Sequence, residues 1–434
     1  MFQTLRNAWK IEDLRKKLLF TLLILVIVRL GCAIPVPFLD PSRLQEMLDS
    51  TQGNLLGYLN LLTGGAFAEA TLFALGVSPY ITASIVIQLL TVAIPSLERM
   101  AKEGPEGQKK IKKITRYSTI GLAILQAYAY YTLLRSSQFN AVKYTTGAAA
   151  WISGIAIVLA FSAGAMLVVW LGERIDEKGI GNGISMILFA GIVSGLPNAV
   201  TYFVSLCKEN LANIGFVLLA IVIFIAMVWF VIMMTNAERR IPVQYAKRVV
   251  GRKMYGGQST HIPIKVAMSG VMPIIFAMSL MSLPQTILFF FGINGTGDTF
   301  WDGFVRLFSQ SSPLYAVIYF LLIIAFNYFY VSIQYNPVEI ANNLKKNNGA
   351  IPGYRPGKPT SDFIYNSLNK ITLIGAIFLG IVAIFPIILA LCVPSLQGIS
   401  IGGTTILIVV GVALETVRSL ESQIMMRHHP GFLD

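Results

Sequence analysis

Ten long apolar stretches separated by polar or basic segments run through the chain, near residues 18–38, 72–94, 117–134, 151–171, 183–204, 214–235, 266–291, 313–333, 371–391 and 401–417. Each approaches the roughly 20 apolar residues that carry a helix across a bilayer, so the pattern predicts ten spanning helices. The first, beginning at Leu18, is longer than a signal-peptide core and shows no small-x-small cleavage site, and it reads as a retained anchor. The segment GYLNLLTGGAF at 57–67 fits neither pattern. It is too short to cross and too apolar for a loop in water. Its Gly-Gly step, just ahead of the second span, predicts a piece of chain that enters the membrane partway and stops.

The polar segments set the orientation. Of the 34 Lys and Arg residues, 28 fall in alternate segments (6–17, 99–116, 174–178, 239–265, 345–370 and 418–427), five fall between those, and Arg29 lies inside the first span. The positive-inside rule makes the basic side cytosolic, and an even number of spans puts both termini there. Two basic segments are far longer than connections need. Residues 236–265 alternate apolar and polar positions on both sides of a basic centre, the pattern of a β-hairpin held out in water. Residues 334–370 are dense in Gly, Pro and Asn, which predicts turns of fixed shape. Topogenesis needs their charges but not their length or turn chemistry, so both read as docking surfaces for a cytosolic partner. The shorter run EGPEGQKKIKK at 103–113 reads equally as a topology signal with lipid-headgroup attraction.

Split five and five, the spans give an N-terminal half, 1–210, and a C-terminal half, 211–434. An odd number per half inverts one half relative to the other, as in many channels and carriers. The second span of each half is interrupted, by Pro79 in LGVSPYITASIVIQLL and by Pro273 and Pro284 in VAMSGVMPIIFAMSLMSLPQTILFFFG. One proline alone means a kink. Interruptions matched between halves mark helices that line a path, so the second and seventh spans are expected to face each other across it. No clear sequence identity relates the halves, and the repeat rests on span number. Val77 and Ile81 lie four apart on one helical face, as do Ile184 and Leu188 after GIGNG. Such aliphatic pairs are ordinarily packing positions, and only the helices that carry them give them interest.

Composition agrees: 55% of residues are hydrophobic and 13% charged, against about 25% charged in globular chains, with a mean hydropathy of +0.67. The net charge of +13 belongs mostly to one face. Cys32, Cys207 and Cys392 are odd in number, far apart and without CxxC spacing, so they read as packing residues and not as disulfides or metal ligands. Neither GxxxxGK[ST] nor HExxH occurs. The acidic residues nearest the membrane, Glu69, Glu173 and Glu415, fall at span ends, unlike the midplane carboxylates of a proton- or sodium-coupled carrier. GISIG at 398–402 matches a nucleophile pattern through Ser400, but His261, His428 and His429 all lie on the other side of the membrane. Arg29 either snorkels or pairs internally. The sequence predicts no catalytic residue, cofactor or metal, and a path with no engine of its own.

The strings RLGCAIPVPF, LTGGAFAEATLFALGVSPYITASIVIQLL, EGPEGQKKI, GIGNGIS, YAKRVVGRKMYGGQSTHIPIKV, IANNLKKNNGAIPGYRPGKPT and GGTTILIVVGV resemble, in order and spacing, the bacterial SecY family of protein-conducting channels. The resemblance runs from about Trp9 to Arg427. It implies an all-α polytopic membrane protein, with ten helices in two inverted halves around an hourglass pore and a lateral gate between the second and seventh. By motif match the constriction ring falls on Val77, Ile81, Ile184, Leu188, Ile275 and Ile408, and the gate seam on Thr82 and Leu283. Many relatives carry isoleucine where this chain has Val77 and Leu188. A ring of branched apolar side chains dewets when empty and conforms around a passing chain.

By the same resemblance residues 54–67 become the plug, a re-entrant helix that fills the funnel beneath the ring. Tyr58, Asn60, Leu61, Leu62, Thr63, Gly64 and Gly65 are its central residues, Leu62 and Thr63 touching the ring when the channel is closed and the glycines supplying flexibility. Arg239, Arg240, Lys247, Arg248, Arg252 and Lys253 of the first long loop, and Arg355 in PGYRPG, match the surfaces that receive the SecA motor ATPase or the ribosome. Small membrane subunits of the SecE and SecG types complete the complex. The implied function is a passive conduit for unfolded preproteins across the bacterial cytoplasmic membrane. Signal peptides and transmembrane segments leave sideways into lipid, and no nucleic acid is recognised beyond ribosome contact.

Overall fold

A computed structural model describes residues 6, 8–40, 63–135, 141–144, 146–209, 213–245, 248–250, 253–255, 259–290, 303, 312–392 and 403–428. Its first-half helices are α1 (Glu12–Gly31), α2 (Ser78–Ala93), α3 (Pro95–Lys102), α4 (Pro105–Arg135), α5 (Gly147–Lys178) and α6 (Gly183–Glu209). The second half contains α7 (Asn213–Asn236), α8 (Met272–Phe290), α9 (Pro313–Gln334), α10 (Pro337–Lys346), α11 (Lys358–Cys392) and α12 (Gly403–His428). Each of the ten apolar windows overlaps one helix, and α3 and α10 are additions. Among the described residues, Gly147–Lys178, Pro313–Lys346 and Lys358–Ile388 are each long and apolar enough to cross a membrane on length and composition alone.

Prolines decide several helix ends. The second window leads one to expect a helix from residue 72, but α2 starts at Ser78. Pro79 stands in its first turn, where a missing N–H leaves nothing unpaired, so it begins the helix and does not kink it. In the same way α8 starts at Met272, with Pro273 its second residue. Pro95 ends α2, and α3 turns away by 105°. The first window also overshoots. α1 stops at Gly31, because Pro35 and Pro37 hold the following chain extended, and that chain bridges Pro35 to Thr71 and Leu39 to Val142.

The two long basic loops are one structure. Strands β1 (Glu238–Tyr245), β2 (Arg248–Val250), β3 (Lys253–Tyr255) and β4 (Ser259–Lys265) give the expected hairpin, with Glu238 opposite Lys265 and Gln244 opposite Ser259. The second loop adds β5 (Gly349–Ala350) to the other edge of β1, in the order β4-β1-β5. It also holds α10, capped by Asn336, whose Oδ1 accepts from the Val338 and Glu339 amides at 3.2 and 3.4 Å. The hairpin is not held out alone. Ile241, Val243 and Ile264 bury their face against Ala341, Leu344, Ile364 and Leu368.

Within the apolar region each half has a core. Phe67, Ala127, Tyr130 and Phe161 are central to the first, and Ile274, Tyr319, Phe378 and Val382 to the second. In lipid these helices gain little from burying apolar surface, so close approach through small residues does the packing. A Cβ on Gly164 of α5 would stand 1.9 Å from the Leu72 carbonyl oxygen, and one on Gly375 of α11 2.4 Å from that of Val266. Both glycines are followed by a fully buried alanine, Ala165 and Ala376.

Candidate functional site

A third apolar cluster gathers all six residues of the expected ring. Val77 precedes α2, Ile81 lies in its first turn, Ile184 and Leu188 are on α6, Ile275 is on α8 and Ile408 on α12. Val77, Leu188 and Ile408 are buried, while Ile81, Ile184 and Ile275 are half-buried against them. Val28 of α1, Phe73, and Val168 and Ile175 of α5 complete the packing. Branched aliphatic side chains brought together from both halves make a contact that excludes water without holding any group fixed to the backbone of another helix.

Three of the six ring residues, Val77, Ile81 and Ile275, stand on a device that occurs twice. Gly76-Val77-Ser78-Pro79-Tyr80-Ile81 and Gly270-Val271-Met272-Pro273-Ile274-Ile275 share Gly, Val, Pro and Ile at the same offsets. In both, the glycine takes a left-handed φ (52° and 62°) and the proline starts the helix. Val271 is thus placed as Val77 is, one turn before the isoleucine, and it packs in the same cluster. Sequence reading missed it, although this short repeat was its signal.

The stretches that lead into these helices are held differently. Residues 63–77 run in successive turns. Arg29 Nη1 donates to the Gly64 carbonyl at 3.3 Å, Cys32 Sγ to that of Thr63 at 3.9 Å, and the buried Tyr130 hydroxyl to that of Phe67. The backbone also pairs with the chain after α1, Leu72 N to Ile34 O at 2.9 Å and Val36 N to Ala70 O at 3.2 Å. Residues 266–271 are fastened by Val266 N on the Ala237 carbonyl at 2.9 Å and, among side chains, by one buried amide. Ser269 Oγ donates to Asn327 Oδ1, and Asn327 Nδ2 donates to the Thr372 carbonyl at 2.9 Å.

Of the expected plug residues, Thr63, Gly64 and Gly65 are described, with both glycines at left-handed φ (64° and 93°), while Tyr58, Asn60, Leu61 and Leu62 lie outside the described residues. At the expected gate seam Thr82 is buried on α2, its hydroxyl on the Ser78 carbonyl at 3.1 Å, and Leu283 falls on α8 with its side chain outside the description. The two helices meet there, Ile85 of α2 sharing a buried cluster with Ile274, Ala277 and Met278.

The expected docking residues lie on the joined loops. Arg240 pairs with Glu238 at 2.7 Å. Arg239 lines a cavity of about 500 Å³ with Tyr354, Asp362, Phe363 and Lys370. Arg355 is exposed between the left-handed Gly353 and Gly357, and its carbonyl accepts from the Thr360 hydroxyl at 2.8 Å. Arg248 and Lys253 fall on β2 and β3 without described side chains, and Lys247 and Arg252 lie outside the described residues. Partial burial, reinforced by the Arg418 guanidinium, lowers the Lys265 ammonium pKa, with Glu238 and Glu415 opposing. Glu173 at the end of α5 pairs with Arg116 of α4. Ser400 lies outside the described residues, which contain no cluster of three or more metal-ligating side chains.

Many apolar helices, two proline-started helices in matching places and an aliphatic cluster shared by the two halves define a polytopic membrane protein of the channel class. The chain belongs to the SecY family, whose model matches residues 71–417. It is 43% identical over 443 residues to the "Protein translocase subunit SecY" of Streptomyces galbus, with both chains covered completely. Two solved structures share the fold at lower identity. A SecY protein studied for how its plug domain stabilises the closed translocation channel matches with a TM-score of 0.71 at 19% identity, over 97% of this chain and 95% of that one. Sec61 from the canine ribosome-channel complex of the endoplasmic reticulum matches at 0.67 and 18% identity, over the same shares.

Proposed function

We propose that this chain is the channel subunit of a bacterial Sec translocon, a passive conduit for unfolded preproteins with a sideways exit for signal peptides and transmembrane segments between α2 and α8. The observation that carries the reading is the convergence of Val77, Ile81, Ile184, Leu188, Ile275 and Ile408 in one apolar cluster. These residues form the constriction, joined by Val271, and residues 54–67 form the plug. The chain resides in the cytoplasmic membrane with the basic loops and both termini in the cytosol, an orientation supported by the Lys and Arg distribution.

Arg239, Arg240, Arg355 and the hairpin tip receive a SecA-type motor or the ribosome, and small membrane subunits of the SecE and SecG types complete the complex. The absence of a nucleotide motif in the sequence supports an external source of energy. Single-channel conductance of the purified complex tests the conduit. The intact protein is expected to be silent and a deletion of Asn60 to Gly65 to flicker open to ions; silence in both would remove the plug. Arg355→Glu tests the docking surface. Translocation driven by the motor is expected to fall by roughly tenfold or more while the protein stays in the membrane, the loss of a charged interface anchor being of that order; unchanged translocation would overturn it.

A further inference from the structure

We infer that Arg29, seconded by Cys32, is the latch that holds the hinge of the plug in the resting channel, an inference that rests on the plug reading above. An arginine within an apolar span is costly unless something uses it. Arg29 sits in the last turn of α1, where the helix C-terminus favours a cation. From there its Nη1 reaches the carbonyl of Gly64, while its Nε is buried and finds no hydrogen-bond partner among the described residues. Three residues on, Cys32 points its thiol at the carbonyl of Thr63. Two consecutive carbonyls are therefore held from the last turn of one helix and from the residue that caps it.

The held backbone is built to fit the guanidinium. Gly64 and Gly65 both take left-handed φ, which turns the chain sharply at this point. A Cβ on Gly64 would stand 2.5 Å from Arg29 Nη1 and equally close to Ser194 Oγ of α6, so only glycine lets the guanidinium reach the carbonyl. The contact is a charge-assisted bond to a backbone acceptor. It therefore has fixed geometry and places no demand on the side chains of the plug, so the plug sequence is free to be as apolar as the seal requires. Displacing the plug breaks one such bond and leaves the guanidinium free to turn toward the funnel.

The test compares single-channel open probability of the purified complex for wild type, Arg29→Met, Arg29→Lys, the 60–65 deletion, and Arg29→Met within that deletion. Arg29→Met is expected to raise open probability by roughly tenfold or more, the change that follows from losing one charge-assisted hydrogen bond. Arg29→Lys, which keeps a charged donor, is expected to restore most of the silence, and Arg29→Met is expected to add nothing within the deletion. A silent Arg29→Met beside a conducting deletion would overturn the latch and leave the plug standing; a silent deletion would overturn both. A further rise when the two are combined would place the action of Arg29 elsewhere and overturn the latch. Gly64→Ala approaches the contact from the other side with Arg29 intact, should Arg29→Met fail to accumulate. It is expected to open the channel, and silence there would again overturn the latch.

Discussion

Residues 63–77 and residues 266–271 lead into α2 and α8 by the same Gly-Val-x-Pro device, and each backs onto a Gly-Ala step of a long helix, Gly164-Ala165 or Gly375-Ala376. They are nevertheless fastened by different means. Around the first stretch Arg29, Cys32 and Tyr130 each hold one carbonyl, the first two from the end of α1 and the third from within α4. Around the second a single enclosed amide, Asn327, serves Ser269 and Thr372 together. Separate bonds are released one at a time, whereas a shared buried amide is made or lost as a unit. The comparison teaches that one helix-starting device serves an adjustable lead-in in one half and a fixed one in the other.

The shared part of the comparison carries the largest expected effects. Gly164→Val and Gly375→Val each drive a side chain into a backbone carbonyl, and overpacking of this kind costs about 1–3 kcal/mol or more. Both are expected to lower the yield of folded protein and its thermal midpoint in detergent, and a variant that unfolds like wild type would show that the close approach is not needed. Asn327→Leu separates the halves. It leaves the Ser269 hydroxyl buried without its partner and removes the second donor to the Thr372 carbonyl, at about 1–3 kcal/mol, so the midpoint is expected to fall while the channel stays closed. A leak without loss of stability would make the second stretch as adjustable as the first. Tyr130→Phe removes one bond to Phe67 worth about 1 kcal/mol. Here a nearly unchanged midpoint with more frequent opening is expected, and a large stability loss with no change in conductance would erase the contrast.

What was readable in the sequence follows from which forces leave a periodic trace. The apolar windows marked the helices because a bilayer demands unbroken apolar length, and the alternation around residues 238–265 marked the hairpin because one strand face is buried. Helix ends were less legible. Pro79 reads as a kink from spacing alone, and only its place in the first turn shows that it starts α2. Helix α10 was hidden by the turn-forming residues on either side, Asn336 being its cap and not part of a loop. The six residues of the proposed constriction came from resemblance, since their spacing alone does not distinguish a seal from ordinary packing. Val271 was passed over because four matching positions in six do not stand out in so apolar a chain. Arg29 stood out as a charge inside an apolar span that either snorkels or pairs internally, but what it pairs with left no trace. Its partner is a carbonyl, which every residue possesses.

The sheet that joins the two long loops has a spatial consequence. β1 follows α7 directly, β4 ends at Lys265 only a short turn before α8, and β5 precedes α11. That short turn is itself tied down, by Val266 N on the Ala237 carbonyl at 2.9 Å and by the Asn327 amide on Ser269. The hairpin is thereby set close on the first turn of α8, where Ile274 enters the core and Ile275 the aliphatic cluster. A partner seated on the basic face would thus stand one short turn of chain from the helix that brings Ile275 to the aliphatic cluster.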